Sequence, residues 1–221
     1  GQNTRINVKL KGKQESEING KGPVISDEEE KDFLDKLAGL NEGDTVIISG
    51  SAAPGLSKDI FDQIIKTCKD KKADFVIDTS GQALRKAIES KPLLIKPNFD
   101  EISELFGIEF TSKEEIIPYG KKCLDMGAQY AIVSMGGDGA LFFDGDNVYY
   151  APAVKGVLVN SVGAGDSMLA GFVGSIKSGL EPLEAFKWSV ASGTGTAFCQ
   201  DIATKDQIDE IYKKIKIEKL S

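Results

Sequence analysis

The sequence predicts an α/β fold built on a largely parallel sheet. Three observations carry this prediction. Short, continuous apolar runs of strand length recur along the chain, and amphipathic helical patterns separate them. At 221 residues the chain is long enough to bury one substantial core. Hydrophobic residues make up 41% and charged residues 28%, a balance that fits a globular protein and not a disordered one.

The elements follow in order. Ile6, Val8 and Leu10 alternate with polar residues, and Gly12-Lys13 turns the chain into a second strand from Glu15 to Ile18, giving a β-hairpin. A two-stranded hairpin is marginal alone, so it needs a surface to lie on, either the main body or a second subunit. Ser26 with Glu29 forms a capping box that opens a helix carrying Phe33, Leu34 and Leu37 on one face. Thr45 to Ser49 reads as a buried strand, and Ser57 caps a helix with Ile60, Phe61, Ile64 and Ile65. Strands at Phe75 to Asp78 and Leu93 to Ile95 bracket a helix over 83–88. Helices follow over 101–106 and 113–126, then a strand over 130–134. Residues 140–143 and 148–150 form an antiparallel hairpin around Asp144-Gly145-Asp146-Asn147. Three helices, over 165–178, 182–198 and 205–215, complete the pattern. Residues 1–25 are thus expected as a small β appendage, and 26–221 as one α/β core. In such a sheet, ligands sit beyond the carboxyl ends of the strands, so the loops there should carry the chemistry.

Composition removes several kinds of chemistry. There is no histidine, which excludes Ser-His-Asp and Cys-His triads, His-ligated zinc and imidazole acid–base steps. The net charge of −7 argues against a nucleic-acid or anionic-membrane binder. No apolar run approaches the ~20 residues of a membrane span, and the first residues lack a signal-peptide core. Cys68, Cys123 and Cys199 form no Cys-x-x-Cys pair and read as small buried hydrophobes. A reducing, cytoplasmic setting is the expectation.

The strongest chemical signal is Asn160-Ser161-Val162-Gly163-Ala164-Gly165-Asp166-Ser167. Small residues there lead into an apolar helix, so backbone N–H groups at the helix start can face an anion unobstructed. Asp166 places a carboxylate beside them that can accept a proton, a pairing that suits phosphoryl transfer. The same segment also fits a plain glycine-rich turn whose Asp166 favours the helix dipole. Two other phosphate loops are excluded. Gly163-Ala164-Gly165 meets Met168, and Gly193-Thr194-Gly195 meets Phe198, where a dinucleotide fingerprint needs a small residue. No Gly-x4-Gly-Lys-Ser/Thr loop occurs.

The segment from Asn160 to Val173 resembles the carboxy-terminal signature of the PfkB carbohydrate kinases, the ribokinase-like sugar kinases. It does so together with other segments in the family's order: Ile48-Ser49-Gly50-Ser51-Ala52-Ala53-Pro54-Gly55, Lys96-Pro97-Asn98-Phe99-Asp100-Glu101 and Ser134-Met135-Gly136-Gly137-Asp138-Gly139. Thr4 to Lys9 and Glu17 to Gly20 resemble the family's lid strands, in the form used by bacterial members acting on fructose 1-phosphate. The resemblance implies a ribokinase-like three-layer α/β domain with a mostly parallel central sheet and a partial β lid.

By the same resemblance, Asp166 is the base for the attacking sugar hydroxyl, and the N–H groups of Gly163, Ala164, Gly165 and Asp166 form the anion hole. Lys96, Asn98 and Glu101 serve ATP, with Asn98 and Glu101 organising Mg²⁺ through water and phosphate. Ser134, Gly136, Gly137, Asp138 and Gly139 line the nucleotide cleft, with Ser192, Gly193 and Thr196 near the adenine. Arg5 and Ser51 face the sugar phosphate. The implied activity is ATP-dependent phosphorylation of fructose 1-phosphate, with tagatose 6-phosphate as the rival substrate. A homodimer through the lid is implied as well, and no nucleic-acid or membrane partner. Plainer roles also fit: Asn98 with Glu101 makes a helix cap, Gly136 to Gly139 a hairpin turn, and Ser192 and Thr196 a close helix contact. The family's opening strand with its sugar-binding Asp, and its Gly-Gly-x-x-x-Asn segment, have no counterpart ahead of Gly1. A chain lacking the family's amino-terminal segment, or a non-catalytic nucleotide-binding domain, is therefore a further expectation.

Overall fold

The computed structural model describes residues 3–10 and 16–221. The expected turn at Gly12-Lys13 lies outside them. Two compact units emerge. One comprises residues 1–46 and 50–75, the other 47–49 and 76–221.

In the first unit, β1 (Asn7–Leu10) and β2 (Ser16–Asn19) pair antiparallel, with Val8 opposite Ile18. Ile6, Val8, Leu10 and Ile18 are all exposed, so the apolar face that the alternation predicts is uncovered in this chain. The Gly20 N–H donates to the Ile6 carbonyl at 3.0 Å, and a Cβ at Gly20 would collide with that oxygen. Helix α1 (Asp27–Leu37) opens with the predicted capping box: the Ser26 hydroxyl accepts from the Glu29 N–H, and Glu29 accepts from the Ser26 N–H at 2.9 Å. Its inward face differs from the expectation. Glu30 is the buried residue and Phe33 is exposed.

Glu30 explains a second difference. Ser57 does not cap helix α2 (Ile60–Asp70), whose N-cap is Asp59. Instead, the Ser57 backbone N–H and hydroxyl both donate to the Glu30 carboxylate. A buried carboxylate needs such donors, and that demand outcompetes the local cap. The apolar stripe of α2 is as predicted, with Ile60, Ile64, Ile65 and Cys68 buried.

The seven-stranded sheet has the order β3-β4-β5-β6-β7-β8-β9 and, apart from the first two residues of β3 and of β4, belongs to the second unit. Its strands are β3 (Thr45–Ser49), β4 (Asp74–Asp78), β5 (Leu94–Ile95), β6 (Tyr130–Ser134), β7 (Ala140–Asp144), β8 (Asn147–Ala151) and β9 (Glu218–Lys219). β4, β5 and β6 run parallel, whereas β6 to β9 pair antiparallel, starting with the predicted hairpin. The helices are α3 (Gly81–Ile88), α4 (Phe99–Phe106), α5 (Lys113–Met126), α6 (Ala164–Lys177), α7 (Pro182–Ala197) and α8 (Lys205–Tyr212).

Alternation sorts the strand residues into two buried faces. Val76, Leu94, Ile132 and Phe142 pack with Leu169, Phe172, Phe186 and Ile211 from α6, α7 and α8. The Phe142 ring lies 5.0 Å from Phe186 and 5.6 Å from Phe172. Phe143 points the other way, under α5, where a Cβ at Gly120 would drive into its ring. Helices therefore cover both faces, as an α/β class requires. β9 escaped the sequence reading because two exposed polar residues carry no strand pattern; main-chain pairing to Tyr149 and Tyr150 alone defines it.

The cysteine expectation is met at two positions. Cys68 and Cys123 are fully buried, and burial pushes the Cys123 thiol up to about 12. Cys199 is half-buried. A thiolate-selective reagent is therefore expected to label Cys199 in the native protein and all three cysteines only after unfolding. Native labelling of more than one thiol, counted by mass spectrometry, would contradict the packing described.

Candidate active site

The site is built on the carboxyl ends of sheet strands and the start of one helix, all in the second unit; β3, expected to be buried, buries only Ile48 and leaves Ile47 exposed. β3 ends at Ser49 and β4 at Asp78, while β5 runs into Lys96-Pro97-Asn98 and β6 ends at Ser134. Parallel strands bring their carboxyl ends to one edge. There Asn98 and Ser134 form a parallel bridge, and the Ser134 N–H donates to the Pro97 carbonyl at 3.1 Å. Two segments far apart in sequence thus become neighbours through main-chain pairing.

Helix α6 begins at Ala164, capped by Gly163 in the left-handed region at φ 78°. A glycine cap has no side chain to satisfy the first-turn N–H groups, which have no intrahelical acceptor. The Ala164 N–H leans on the Ser161 carbonyl at 3.3 Å. The other N–H groups of this turn belong to Gly163, Gly165 and Asp166.

Lys96 is 5% exposed and reaches the same place. Its Nζ stands 3.4 Å from Asp78 Oδ1. A Cβ on Gly165 would come within 3.1 Å of that Nζ, so the ammonium lies against the first turn of α6. Asp166 completes the group: its Oδ1 accepts a hydrogen bond from the Ser49 hydroxyl at 3.1 Å.

Electrostatics bind these residues into one set. Burial raises the Asp78 carboxyl above its usual range; Lys96 opposes the rise and the charge on Asp166 adds to it. Glu101 is raised as well, chiefly by burial, with the Asn98 N–H and Lys96 opposing and Asp78 and Glu104 adding. Lys96 thus answers the charge of both Asp78 and Glu101, and Asp166 acts on Asp78. An excess of negative charge on hard oxygen donors fits a divalent cation such as Mg²⁺. Among the described residues no three acidic, Cys or His side chains stand at direct ligating distance of one another, so such a cation would be held partly by water and phosphate.

The plainer roles of several residues are also present in the fold. Asn98 Oδ1 accepts from the Glu101 N–H at 2.9 Å while Glu101 Oε2 accepts from the Asn98 N–H at 2.7 Å, a full capping box for α4. Gly136, Gly137 and Asp138 form a 3₁₀ turn that Gly139 closes into β7. Gly136 and Gly139 both have positive φ, and a Cβ at Gly139 would strike the Ala151 carbonyl. The Tyr150 hydroxyl donates to the Asp138 carbonyl at 3.0 Å and steadies this turn.

Ser192, Gly193 and Thr196 are buried where α7 meets α6. Thr196 Oγ1 is hydrogen-bonded to the Ser167 hydroxyl at 2.9 Å and accepts from the Ala203 N–H at 3.2 Å. A Cβ at Gly193 would meet Met168 and the Ala164 carbonyl, so this glycine lets α7 approach the start of α6. Arg5 and Ser51 belong to the first unit. Both are exposed, and Arg5 Nε donates to Asn7 Oδ1 at 3.1 Å.

Two members of the site were not singled out from sequence. Asp78 carried a usable signal, a carboxylate ending an otherwise apolar buried strand. Ser49 lay inside a recognised segment in which Ser51 drew the assignment.

The model of the pfkB family carbohydrate kinases matches residues 1–207. The chain is 49% identical to the 1-phosphofructokinase of Bacillus subtilis (strain 168) over 217 residues, covering 98% of this chain and 72% of that protein. It is 34% identical to a D-tagatose-1-phosphate kinase of Bacillus licheniformis, covering 98% of this chain and 72% of the relative. A crystal structure from Staphylococcus aureus, provisionally described as a phosphofructokinase, superposes with a TM-score of 0.86 at 39% identity, over 97% of this chain and 70% of that one. The strand-end carboxylates, the buried lysine and the glycine-capped helix therefore stand in a chain that belongs to the pfkB family of carbohydrate kinases.

Proposed function

We propose that this protein transfers the γ-phosphoryl group of ATP to the 6-hydroxyl of fructose 1-phosphate, giving fructose 1,6-bisphosphate. The observation that carries the proposal is the juxtaposition of Asp166, the open first turn of α6 and the buried Lys96 ammonium. The 49% identity to a 1-phosphofructokinase supports the choice of substrate.

In this reading Asp166 accepts the proton of the attacking hydroxyl. The N–H groups of Gly163, Gly165 and Asp166, with Lys96, stabilise negative charge on the group in transit. Positioning and charge stabilisation do most of the work in phosphoryl transfer, so a carboxylate base suffices and histidine is dispensable. Asn98, Glu101 and Asp78 would hold Mg²⁺ indirectly, through water and the nucleotide phosphates, and the ion would supply charge neutralisation for those phosphates when bound. The Gly136–Gly139 turn, with Ser134 beside it, lines the nucleotide cleft, and Ser192, Gly193 and Thr196 back the adenine end. Arg5 and Ser51 meet the phosphate of the sugar.

A second reading, phosphorylation of a tagatose phosphate, is favoured by the 34% identity to a kinase of that kind. The exposed apolar face of Ile6, Val8, Leu10 and Ile18 fits a second copy of the chain, making a homodimer through the lid. No helix among the described residues is long and apolar enough to cross a membrane, and the cysteine usage suits the cytoplasm.

Coupled ADP release tests the proposal, with fructose 1-phosphate, tagatose 1-phosphate, tagatose 6-phosphate and fructose 6-phosphate compared. The highest kcat/KM is expected for fructose 1-phosphate. ATP binding without turnover of any of the four would reduce the protein to a nucleotide-binding domain and overturn the kinase reading.

A further inference from the structure

The hydrogen bond between Ser49 and Asp166 joins residues 117 apart in the sequence, and it is made at the reacting edge of the sheet. Ser49 is the last residue of β3, and both partners are exposed to solvent, so the bond adds little to folding. It does decide how the Asp166 carboxylate can turn. Asp78 repels that carboxylate, while the Lys96 ammonium lies against the neighbouring Gly165. Without the Ser49 bond the exposed Asp166 carboxylate is free to rotate about its side-chain torsions, which is a poor posture for a base.

We infer that Ser49 is a positioning residue for the transfer, holding Asp166 by Oδ1 so that Oδ2 is presented to the acceptor hydroxyl. This rests on the reading of Asp166 as the base. Oδ2 takes no hydrogen bond from any described residue. An ordinary hydroxyl suffices for the task because it can donate to Oδ1 without adding charge to the site. General bases act only from a narrow geometry, and freedom in the carboxylate lowers the fraction of encounters that react.

The test is a double-mutant cycle in the purified protein, read by coupled ADP release with fructose 1-phosphate. Ser49→Ala is expected to lower kcat about 10-fold, a part of the roughly 10²–10⁴-fold that a positioned base contributes, with KM for both substrates and the melting temperature unchanged. Ser49→Thr, which keeps the hydroxyl, is expected to hold kcat near the wild-type value. In an Asp166→Asn background Ser49→Ala is expected to cause no further loss. A rise in KM with kcat intact, an equal loss in both backgrounds, or a Ser49→Thr defect as deep as that of Ser49→Ala would overturn the inference. The two failures are separable. An inactive Asp166→Asn beside a fully active Ser49→Ala refutes only the role of Ser49. A fully active Asp166→Asn refutes the base, and the role of Ser49 with it.

Discussion

Asp166→Asn lowers the turnover of fructose 1-phosphate by about 10²–10⁴-fold while ATP still binds, because a positioned base contributes that much and an amide cannot accept the proton. The substitution isolates this role cleanly. Asparagine keeps the size of the side chain and an Oδ1 that can accept from the Ser49 hydroxyl, so the local geometry is retained. It removes a favourable carboxylate from the first turn of α6, an effect of about 0.3–1 kcal/mol. It also removes the repulsion that Asp166 exerts on buried Asp78, which works in the opposite direction. The two act in opposite directions on an exposed position, and the melting temperature should stay close to that of the wild type. Turnover by coupled assay, ATP affinity by calorimetry and melting by circular dichroism separate the contributions. Turnover within twofold of wild type would remove Asp166 from the mechanism.

Most of the fold was legible because its signals are local. The strand over 130–134 and the helix over 113–126 match their predicted bounds, one through a run of buried apolar residues and the other between Ser112 and Gly127. What the sequence hid is decided by contacts between distant segments. Ser57 looks like a helix cap until Glu30, 27 residues earlier, claims its donors. Phe33 fits the apolar face of α1 on periodicity, yet burial falls on Glu30 because Ser57 satisfies that carboxylate. The site shows the same division. The glycine-capped turn before Asp166 is written in consecutive residues and could be read directly. Asp78 and Ser49 became members only when β3 and β4 set their last residues beside α6 and Lys96. Asn98 and Glu101 show a further limit: one spacing serves a capping box and a place beside the nucleotide at once, so the motif cannot choose between them.

Lys96→Met tests the electrostatic core of the site and is expected to damage activity and stability in different ways. Methionine approximates the length of the lysine side chain and suits a position only 5% exposed, so packing survives. The ammonium does not, and losing a preorganised positive charge at the transferring group should lower kcat by about 10²–10³-fold. The stability effect follows from Asp78. Its carboxyl already binds a proton more tightly in the folded protein than an ordinary aspartate, since burial outweighs the help of Lys96. Removing Lys96 strengthens that preference and so widens the gap between folded and unfolded proton affinity. A carboxyl whose folded affinity is raised favours folding when protonated and opposes it when ionised. The deficit of the variant should therefore be small at about pH 4 and grow as pH rises toward 7, where Asp78 must ionise without its partner. Breaking a buried pair in this way costs about 3–5 kcal/mol at its upper range, and the 17% side-chain exposure of Asp78 holds the loss below that. Chemical denaturation of both proteins at the two pH values measures the difference directly. A loss of equal size at both would mean that the pairing with Asp78 has no part in holding the site together.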